Sequence, residues 1–163
     1  MNDVKLKPIG LIRSIYTSVQ GMPIQTIAAS DVLGSLEVFS EFQLGLDGID
    51  EFEYLLLITH LHASIKESLQ VTPFLDDKTH GVFATRAPSR PNKLGLSIVK
   101  LIKRNGLTLV FSGNDMLDGT PVLDIKPYVP IFDVRDTQRV GWYSTKIQSL
   151  HQTKSDDRMM KDH

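Results

Sequence analysis

The chain has 163 residues, of which 41% are hydrophobic and 23% charged, and its formal net charge is −1, a balance that is ordinary for one globular domain with a sizeable core. It contains no cysteine, which excludes disulfides and thiolate zinc sites. The first residues lack the apolar core of a signal peptide, and no apolar run approaches the roughly 20 residues needed to cross a bilayer, so we expect a soluble, cytoplasmic protein that does not enter a membrane.

The first fifty residues predict short β-elements joined by loops. Residues 7–15 mix apolar and polar positions in a way that is typical of a first strand. Residues 16–25 contain a glycine and a proline and predict a loop. Residues 36–39 predict a second strand, and the Asp-Gly pair at residues 47–48 predicts a turn.

Residues 54–58 are continuously apolar, which favours a strand buried on both faces, with a buried helix as the alternative. His60 and His62 follow and would share a face of that strand. A metal ion could be held there if His80 or a nearby acid converged on the pair. With no cysteine and no His-Glu-x-x-His motif, the sequence favours one histidine that faces a pocket and one that is satisfied within the structure. A short helix is predicted over residues 63–70.

Residues 81–97, here called the organising loop, are the stretch around which we expect the chain to be arranged. A loop over residues 71–80 leads into them, and they begin as a short apolar strand that runs into a loop with two arginines, two prolines and a lysine. Prolines reduce the entropy that an ordered loop loses, and arginines offer a planar fork of donors to phosphate, carboxylate or nucleobase edges. The combination predicts ligand binding, and the alternative is a rigid surface turn with solvated arginines.

Charge is divided along the chain. No lysine or arginine occurs between Ser14 and Ile65, and no acidic residue occurs between Lys78 and Asn114. The acid-free range, residues 78–114, predicts a basic surface that attracts polyanions even on a nearly neutral protein. The alternative is that the two ranges lie side by side and pair with one another.

The second half of the chain predicts a hairpin and a further strand. Residues 94–102 and 107–112 alternate in hydrophobicity and are joined by an Asn-Gly hairpin signal. A tight polar loop over residues 115–121 precedes residues 122–128, which we expect to be extended.

The last predicted strand carries a possible functional face. If it is extended, Asp124, Lys126 and Tyr128 point to one side, while Leu123 and Ile125 point into the core. An acid, an ammonium group and a phenol on one face could bind a ligand or assist proton transfer. They could equally form an ordinary strand exterior.

Motifs of several large enzyme classes are missing from the sequence. It has no Gly-x-Gly-x-x-Gly, no Walker loop and no Gly-x-Ser-x-Gly, so Rossmann dinucleotide enzymes, P-loop NTPases and serine hydrolases have no support. About seven short strands with turn signals and few short helices favour a mainly β domain, a small barrel or sandwich, over an alternating βα order. We place one domain over residues 1–150 and a polar, mobile tail over residues 151–163.

Three motifs carry a resemblance to a known family. They are Pro-Ile-Gly-Leu-Ile-Arg-Ser at residues 8–14, Gly-Val-Phe-Ala-Thr-Arg with Arg-Pro-Asn within residues 81–92, and Asp-Gly-Thr-Pro-Val-Leu-Asp-Ile-Lys-Pro-Tyr at residues 118–128. Over about residues 7–133 the chain resembles the TsaA-like (TrmO-type) family. The resemblance implies a closed or partly open β-barrel that binds S-adenosylmethionine without a Rossmann-like fold, usually as a homodimer with cofactor sites near the interface. Characterised members methylate tRNA, and the implied reaction is N6-methylation of threonylcarbamoyladenosine next to the anticodon.

The resemblance also assigns site residues. Cofactor contacts are implied at Pro23, Ile24, Gln25, His62, Ala63, Arg86, Leu96, Asp118, Gly119, Thr120 and Pro121, and no metal is implied. These side chains suit the task, because Gly119 permits close backbone approach, Asp118 can accept hydrogen bonds and Arg86 can meet a carboxylate. In the organising loop, Arg90 and Lys93 are expected to contact phosphates of the tRNA anticodon loop.

The proposed methyl acceptor is a poor nucleophile, because its nitrogen is conjugated to both ring and carbonyl. Its proton must leave as the methyl group arrives, so a base would help. Asp124, Lys126 and Tyr128 are candidates because they share a face. Two alternatives stay open: an S-adenosylmethionine-binding regulatory protein without methyltransferase activity, and a methyltransferase that acts on a different small or RNA substrate.

Overall fold

The computed structural model describes residues 3–156. The strands in that part of the chain are β1 (Gly10–Arg13), β2 (Leu33–Val38), β3 (Tyr54–His60), β4 (Gln70–Val71), β5 (His80–Gly81), β6 (Leu94–Asn105), β7 (Thr108–Ser112) and β8 (Pro121–Pro127). Six of them close into a barrel in the order β1-β2-β7-β6-β3-β8, and β4 pairs with β5 in a separate ribbon. The predicted mainly β barrel is therefore confirmed.

Helical segments are short throughout the described residues. The α-helix is α1 (Pro130–Asp133), and 3₁₀ turns occur at Thr26–Ala29, Ser40–Leu46, Ile49–Glu51, Val82–Ala84, Gly141–Thr145 and Ile147–Ser149. Between residues 3 and 156 there is no helix whose length and apolar character would allow it to cross a membrane.

The hydrophobic core fills the inside of the barrel, because strand side chains alternate between the two faces of the sheet. In β3, Leu55 and Leu57 are buried, whereas Tyr54 is 37% exposed and Ile58 is half-buried. The expectation that residues 54–58 are buried on both faces is wrong, since their outer face is apolar but open. The buried core consists of Ile12, Leu36, Val38, Leu46, Leu55, Leu57, Val99, Leu109, Phe111, Met116 and Val122.

The predicted hairpin forms between β6 and β7, where Asn105 pairs with Thr108. Gly106 occupies the first central position of the turn with φ +61°, a left-handed conformation that costs glycine little. Glycine in the first central position is the pattern of a type II′ turn. The Asn-Gly signal therefore located the hairpin, but the turn is centred one residue later.

A β-bulge changes which side chains of β8 face the core. Asp124 pairs with Ile58 and Val122 pairs with Thr59, so Leu123 is the extra residue. As a result Val122 is fully buried in the core and Leu123 is only half-buried. The expectation that Leu123 points into the core is wrong for this reason.

The predicted helix over residues 63–70 does not form. Ser64 Oγ donates a hydrogen bond to the Pro88 carbonyl at 3.1 Å, and the Ser68 N–H donates to the Ser89 carbonyl at 3.0 Å. A backbone N–H that is satisfied by a distant carbonyl is not available for the i→i−4 bond of a helix. These bonds tie the segment to the organising loop.

Part of the basic range pairs with the acidic range. Arg104 lies 3.5 Å from Asp50, and Lys100 lies 3.1 Å from Glu53. Such exposed pairs contribute about 0–1 kcal/mol each. These two ion pairs neutralise two of the positive charges of the predicted basic surface, both of them on β6.

Replacing Gly10 by alanine tests the packing of β1 on β2. A Cβ atom at Gly10 would overlap the Glu37 carbonyl oxygen and lie 2.8 Å from Leu36 Cδ1, so we expect a loss of about 1–3 kcal/mol in the free energy of unfolding, measured by denaturant titration. Gly45→Ala is the matched control, because nothing lies within 4 Å of the added Cβ. If Gly45→Ala lowered the free energy of unfolding as much as Gly10→Ala, the close packing of β1 on β2 at Gly10 would be contradicted.

Candidate functional site

A cavity of about 800 Å³ opens at one end of the barrel. The end of β3 and the start of β6 form part of its wall, together with loops that include residues 22–27, 61–64, 85–88 and 115–117. Residues 140–156, here called the C-terminal segment, close a further side through Trp142, Tyr143, Ile147 and Leu150. The cavity therefore combines one end of a rigid barrel with adaptable loops, the usual construction of a ligand site.

Arg90 holds the organising loop in shape. Its Nη1 atom donates to the carbonyl oxygens of Val82, Thr85 and Ala87 at 3.1, 2.8 and 3.4 Å. The expected apolar strand at the start of this loop is limited to β5, and the backbone then forms the 3₁₀ turn Val82–Ala84. Buried carbonyl groups need such partners, so Arg90 first serves the loop itself, although it also borders the cavity.

Arg86 takes a different position in the same loop. Its side chain is exposed to the cavity, and Nη1 donates to Gln25 Oε1 at 2.9 Å. Arginine has five N–H donors, so this bond orients the guanidinium group and leaves further donors for a ligand. Arg86 and Gln25 come from separate loops, and both loops line the cavity.

Asp115 places a carboxylate in the cavity wall. Ser97 Oγ on β6 donates to Asp115 Oδ1 at 2.8 Å. Burial raises the pKa of the Asp115 carboxyl to about 6, against the opposing effects of this hydrogen bond and of the positive charge on Arg86. Asp115 was not among the residues predicted from the sequence; the available signal was that it is the first acid after the acid-free range that begins at Lys78.

Thr59 adds a buried hydroxyl to the cavity wall. It is 1% exposed, and its Oγ1 has no hydrogen-bond partner within residues 3–156. Gly95 lies opposite on β6, and a Cβ there would come within 2.5 Å of this oxygen. Glycine at residue 95 therefore preserves the space beside the hydroxyl.

The C-terminal segment is fastened to the organising loop by an aromatic stack. Trp142 Nε1 donates to the Ala84 carbonyl at 2.9 Å. The indole stacks on His80 at 4.7 Å and on Tyr143 at 3.9 Å between ring centroids. Trp142 and Tyr143 both line the cavity, so this stack forms an aromatic wall suited to a planar ring.

A cluster of charged side chains also contacts the C-terminal segment. Asp76 lies 2.9 Å from His80 Nε2 and 3.2 Å from Lys146 Nζ. The hydrogen bond from His80, followed by those from the Asp77 backbone and Lys146, holds the pKa of Asp76 well below its usual range. Asp76 thus links the loop before β5 to the segment that closes the cavity.

The end of the described chain pairs with the loop before the first 3₁₀ turn. Gly21 N–H donates to the Ser155 carbonyl at 2.8 Å, and Ser155 N–H donates to the Met22 carbonyl at 2.9 Å. Lys154 and Pro23 form an isolated bridge. Of the predicted mobile tail, residues 151–156 carry these contacts, while residues 157–163 lie outside the described residues.

Most of the cofactor residues implied by the resemblance meet at the cavity. Those that line it are Pro23, Ile24, Gln25, His62, Ala63, Arg86, Leu96 and Thr120. They come from the loop before the first 3₁₀ turn, the residues after β3, the organising loop and the loop before β8. The assignment itself stays a prediction, because the structure describes the chain alone.

Asp118, Gly119 and Pro121 do not reach the cavity. Asp118 Oδ1 accepts a hydrogen bond from the Ser14 N–H at 3.0 Å, and the Gly119 N–H donates to the Ile12 carbonyl at 2.8 Å. Pro121 already belongs to β8. The three residues therefore join β8 to β1 rather than line the site.

Asp124, Lys126 and Tyr128 also lie outside the cavity. Lys126 Nζ lies 2.8 Å from Asp124 Oδ2, and the ring of Tyr128 meets that of Tyr54 edge-on at 6.1 Å. They share the outer side of the barrel as the alternation predicted, but they do not face the cavity of their own chain.

The histidines at residues 60, 62 and 80 do not assemble a metal site. His60 ends β3 opposite Leu94, His62 lines the cavity and His80 contacts Asp76. Within residues 3–156 no group of three or more histidine, cysteine, aspartate or glutamate side chains is placed to hold a metal ion.

Comparison with known proteins gives a consistent match. The family model described as the tRNA-methyltransferase O N-terminal domain matches residues 11–134. A probable S-adenosyl-L-methionine-binding protein from Pyrococcus abyssi is 47% identical over 152 residues, which cover 93% of this chain and 83% of that protein. The mouse tRNA (adenine(37)-N6)-methyltransferase is 37% identical over 134 residues, covering 78% of this chain and 31% of the mouse protein.

The fold agrees with a solved relative. The crystal structure of TrmO from Pseudomonas aeruginosa matches with a TM-score of 0.73 and 36% identity, over 86% of this chain and 63% of that one. The chain thus spans under two thirds of this solved structure and about a third of the mouse enzyme.

Replacing Asp115 by asparagine tests its environment through pH. A folded-state pKa of about 6 exceeds the unfolded value of 3.8, so the wild-type protein is expected to lose stability as pH rises from about 4 through about 6, by about 3 kcal/mol in all. An asparagine side chain cannot ionise, so the stability of Asp115→Asn relative to wild type should increase by that amount between pH 4 and pH 8. Unfolding titrations at both pH values measure it; a constant difference would show that Asp115 is not shielded from water.

Proposed function

The chain belongs to the tRNA-methyltransferase O family, and from that membership we propose that it is an S-adenosylmethionine-dependent methyltransferase that acts on N6 of an adenosine in tRNA. The observation that carries the proposal is the cavity, where eight of the family's implied cofactor residues, from four parts of the chain, line one space. A tRNA-modifying role also fits the expected cytoplasmic location.

The cavity suits the proposed cofactor in size and chemistry. Its volume of about 800 Å³ lies within the range of roughly 300–1,000 Å³ that small-molecule sites occupy. Apolar side chains such as Met22 and Leu96 can cover an adenosyl group, while Arg86 and Asp115 offer both signs of charge. When bound, S-adenosylmethionine supplies a methyl group on a sulfonium leaving group.

The residues of the chain mainly position the reactants, which is the chief requirement of such a transfer. Gln25 fixes the guanidinium group of Arg86. Trp142 and Tyr143 offer a flat wall for a planar ring, and the C-terminal segment to which they belong excludes water from that side.

We propose threonylcarbamoyladenosine next to the anticodon as the acceptor. The family resemblance supports the threonylcarbamoyl group, and the name of the mouse relative, a tRNA (adenine(37)-N6)-methyltransferase, supports N6 of an adenine in tRNA as the methylated atom. Loss of the N6 proton needs an acceptor, and Asp124, Lys126 and Tyr128 could serve only from outside the cavity of their own protomer. They would act at the cavity of a second copy.

RNA contact is proposed for Lys93 with support from Arg90. Lys93, the residue of the organising loop that precedes β6, adopts φ +49°, and its ammonium group forms no ion pair within residues 3–156. Arg90 already donates to three carbonyl groups, so we expect it to shape the loop that meets the phosphates more than to neutralise one.

A homodimer is proposed through the outer face of β3 and β6. This face carries Leu94 at 39%, Leu96 at 49% and Ile98 at 38% exposure, next to Leu56 and Ile58 on β3. An apolar face of this extent is typical of an interaction surface. Leu96 also lines the cavity, so a second copy seated here would stand beside the site, with Asp124 and Lys126 on the same side of the sheet.

Ile98→Arg tests this interface. A charge in the middle of the face should convert the dimer to a monomer in light scattering, because an unpaired buried charge is costly. Leu33→Arg is the control, since Leu33 on β2 is equally apolar and 58% exposed on another part of the barrel. A wild-type monomer, or a dimer that survives Ile98→Arg, would contradict the proposed interface.

One observation favours the alternative of a binding protein without methyltransferase activity. The Pyrococcus relative, which this chain covers over 83% of its length, is described as a probable binding protein, whereas the mouse methyltransferase is covered over only 31% of its length. Most of the mouse enzyme therefore lies beyond the matched region.

The deciding experiment is incubation of the protein with methyl-labelled S-adenosylmethionine and tRNA, followed by nucleoside analysis. We expect label on N6-methylated threonylcarbamoyladenosine and none on a matched transcript that lacks the threonylcarbamoyl group. Label on another nucleoside would correct the acceptor. Binding of S-adenosylmethionine without methyl transfer would contradict the proposed methyltransferase activity and would support the alternative of a binding protein.

A further inference from the structure

Asp115 is a charged group that the proposed reaction does not yet use. Its carboxylate lies in the cavity wall, where burial disfavours its charged form. Within residues 3–156 the side-chain donor to it is Ser97 alone. A carboxylate held in this way costs folding free energy unless something else benefits from its charge.

Arg86 is the positive charge that acts on Asp115, and the two side chains do not bond to each other within residues 3–156. The guanidinium charge is close enough to affect the carboxyl, yet Arg86 bonds to Gln25 and Asp115 bonds to Ser97. Each charged group is thus oriented by its own neutral partner from a different element. The cavity wall presents a positive and a negative group side by side without an ion pair between them.

We propose that Asp115 and Arg86 together recognise the amino-acid end of the cofactor, with Asp115 accepting hydrogen bonds from its ammonium group and Arg86 donating to its carboxylate. The inference rests on the proposed function, because it takes S-adenosylmethionine as the ligand. The ammonium and carboxylate of an α-amino acid sit on one carbon, so two charged side chains that bind both groups must be neighbours of opposite sign. Separated but adjacent charges meet that requirement, whereas a closed ion pair would have to be broken first.

The raised pKa of Asp115 supports this role and adds a pH signature. An ammonium group binds the ionised carboxylate, so protons compete with the cofactor below about pH 6. The charged and titratable groups that face Asp115 are Arg86 and Tyr16, and the pKa of Tyr16 is raised by burial and by Asp115. The cavity is also lined by His62, Arg90, Tyr143 and Asp156.

The test uses the full chain and compares ligands that differ only at the amino-acid end. Calorimetry measures the dissociation constants of S-adenosylmethionine, of its decarboxylated form, which keeps the amine, and of 5′-methylthioadenosine, which lacks both groups. Asp115→Asn should raise the dissociation constants of S-adenosylmethionine and of its decarboxylated form by about 10- to 100-fold, the effect of one charge-assisted hydrogen bond. The dissociation constant of methylthioadenosine should change by less than about twofold. Arg86→Gln should weaken S-adenosylmethionine but spare the decarboxylated form.

The pH dependence gives a second readout. Between pH 7 and pH 5 the affinity of the wild type for S-adenosylmethionine should fall by about tenfold, as expected for a group with a pKa near 6, and that of Asp115→Asn should not. Asp31→Asn is the control and should keep the wild-type fall in affinity, because Asp31 is exposed and lies outside the cavity.

The outcomes separate this inference from the proposed function. Equal weakening of all three ligands by Asp115→Asn would place Asp115 at the adenosyl group and overturn the inference. Unchanged affinities for all three would also overturn it, and would leave Asp115 free to accept a proton from the methyl acceptor. If neither S-adenosylmethionine nor methylthioadenosine binds the wild type, the proposed function fails as well.

Discussion

The candidate site depends on the hydrogen bonds that Arg90 donates to three backbone carbonyls of its own loop. A tight turn brings carbonyl oxygens together on its inner side, and each one costs free energy if it is left without a donor. Because one guanidinium group serves them all, the loop keeps a single shape without regular secondary structure. That shape presents Arg86 to the cavity and the Ala84 carbonyl to Trp142.

The second constraint is the C-terminal segment. The family model ends at residue 134, yet residues 140–156 supply a wall of the cavity and bond to the loops on two sides. The barrel therefore provides a rigid frame, and a short irregular segment completes the site. Changes in this segment can alter what the cavity accepts while the barrel stays the same, which is how one fold serves several substrates.

The sequence predicted the features that local chemistry controls. Hydrophobic patterning predicted the barrel strands, an Asn-Gly pair located the β6–β7 hairpin, and prolines with arginines pointed to a loop that the structure places at the cavity. It could not separate Arg86 from Arg90, because Arg86 bonds to the distant Gln25, whereas the carbonyls that Arg90 serves come together only in the folded loop. It also missed Asp115 and Trp142, whose contacts with Ser97 and Ala84 join elements far apart in the chain, and the bulge in β8 that places Val122 in the core.

The proposed function requires the cofactor to lie in the cavity between the barrel end and the C-terminal segment. Amide hydrogen exchange with and without S-adenosylmethionine tests this placement most directly, because exchange reports local opening along the chain. We predict slower exchange on binding in residues 84–90, 115–117 and 140–150. Protection confined to residues 118–121 and the outer strand face, with no change in the C-terminal segment, would contradict it.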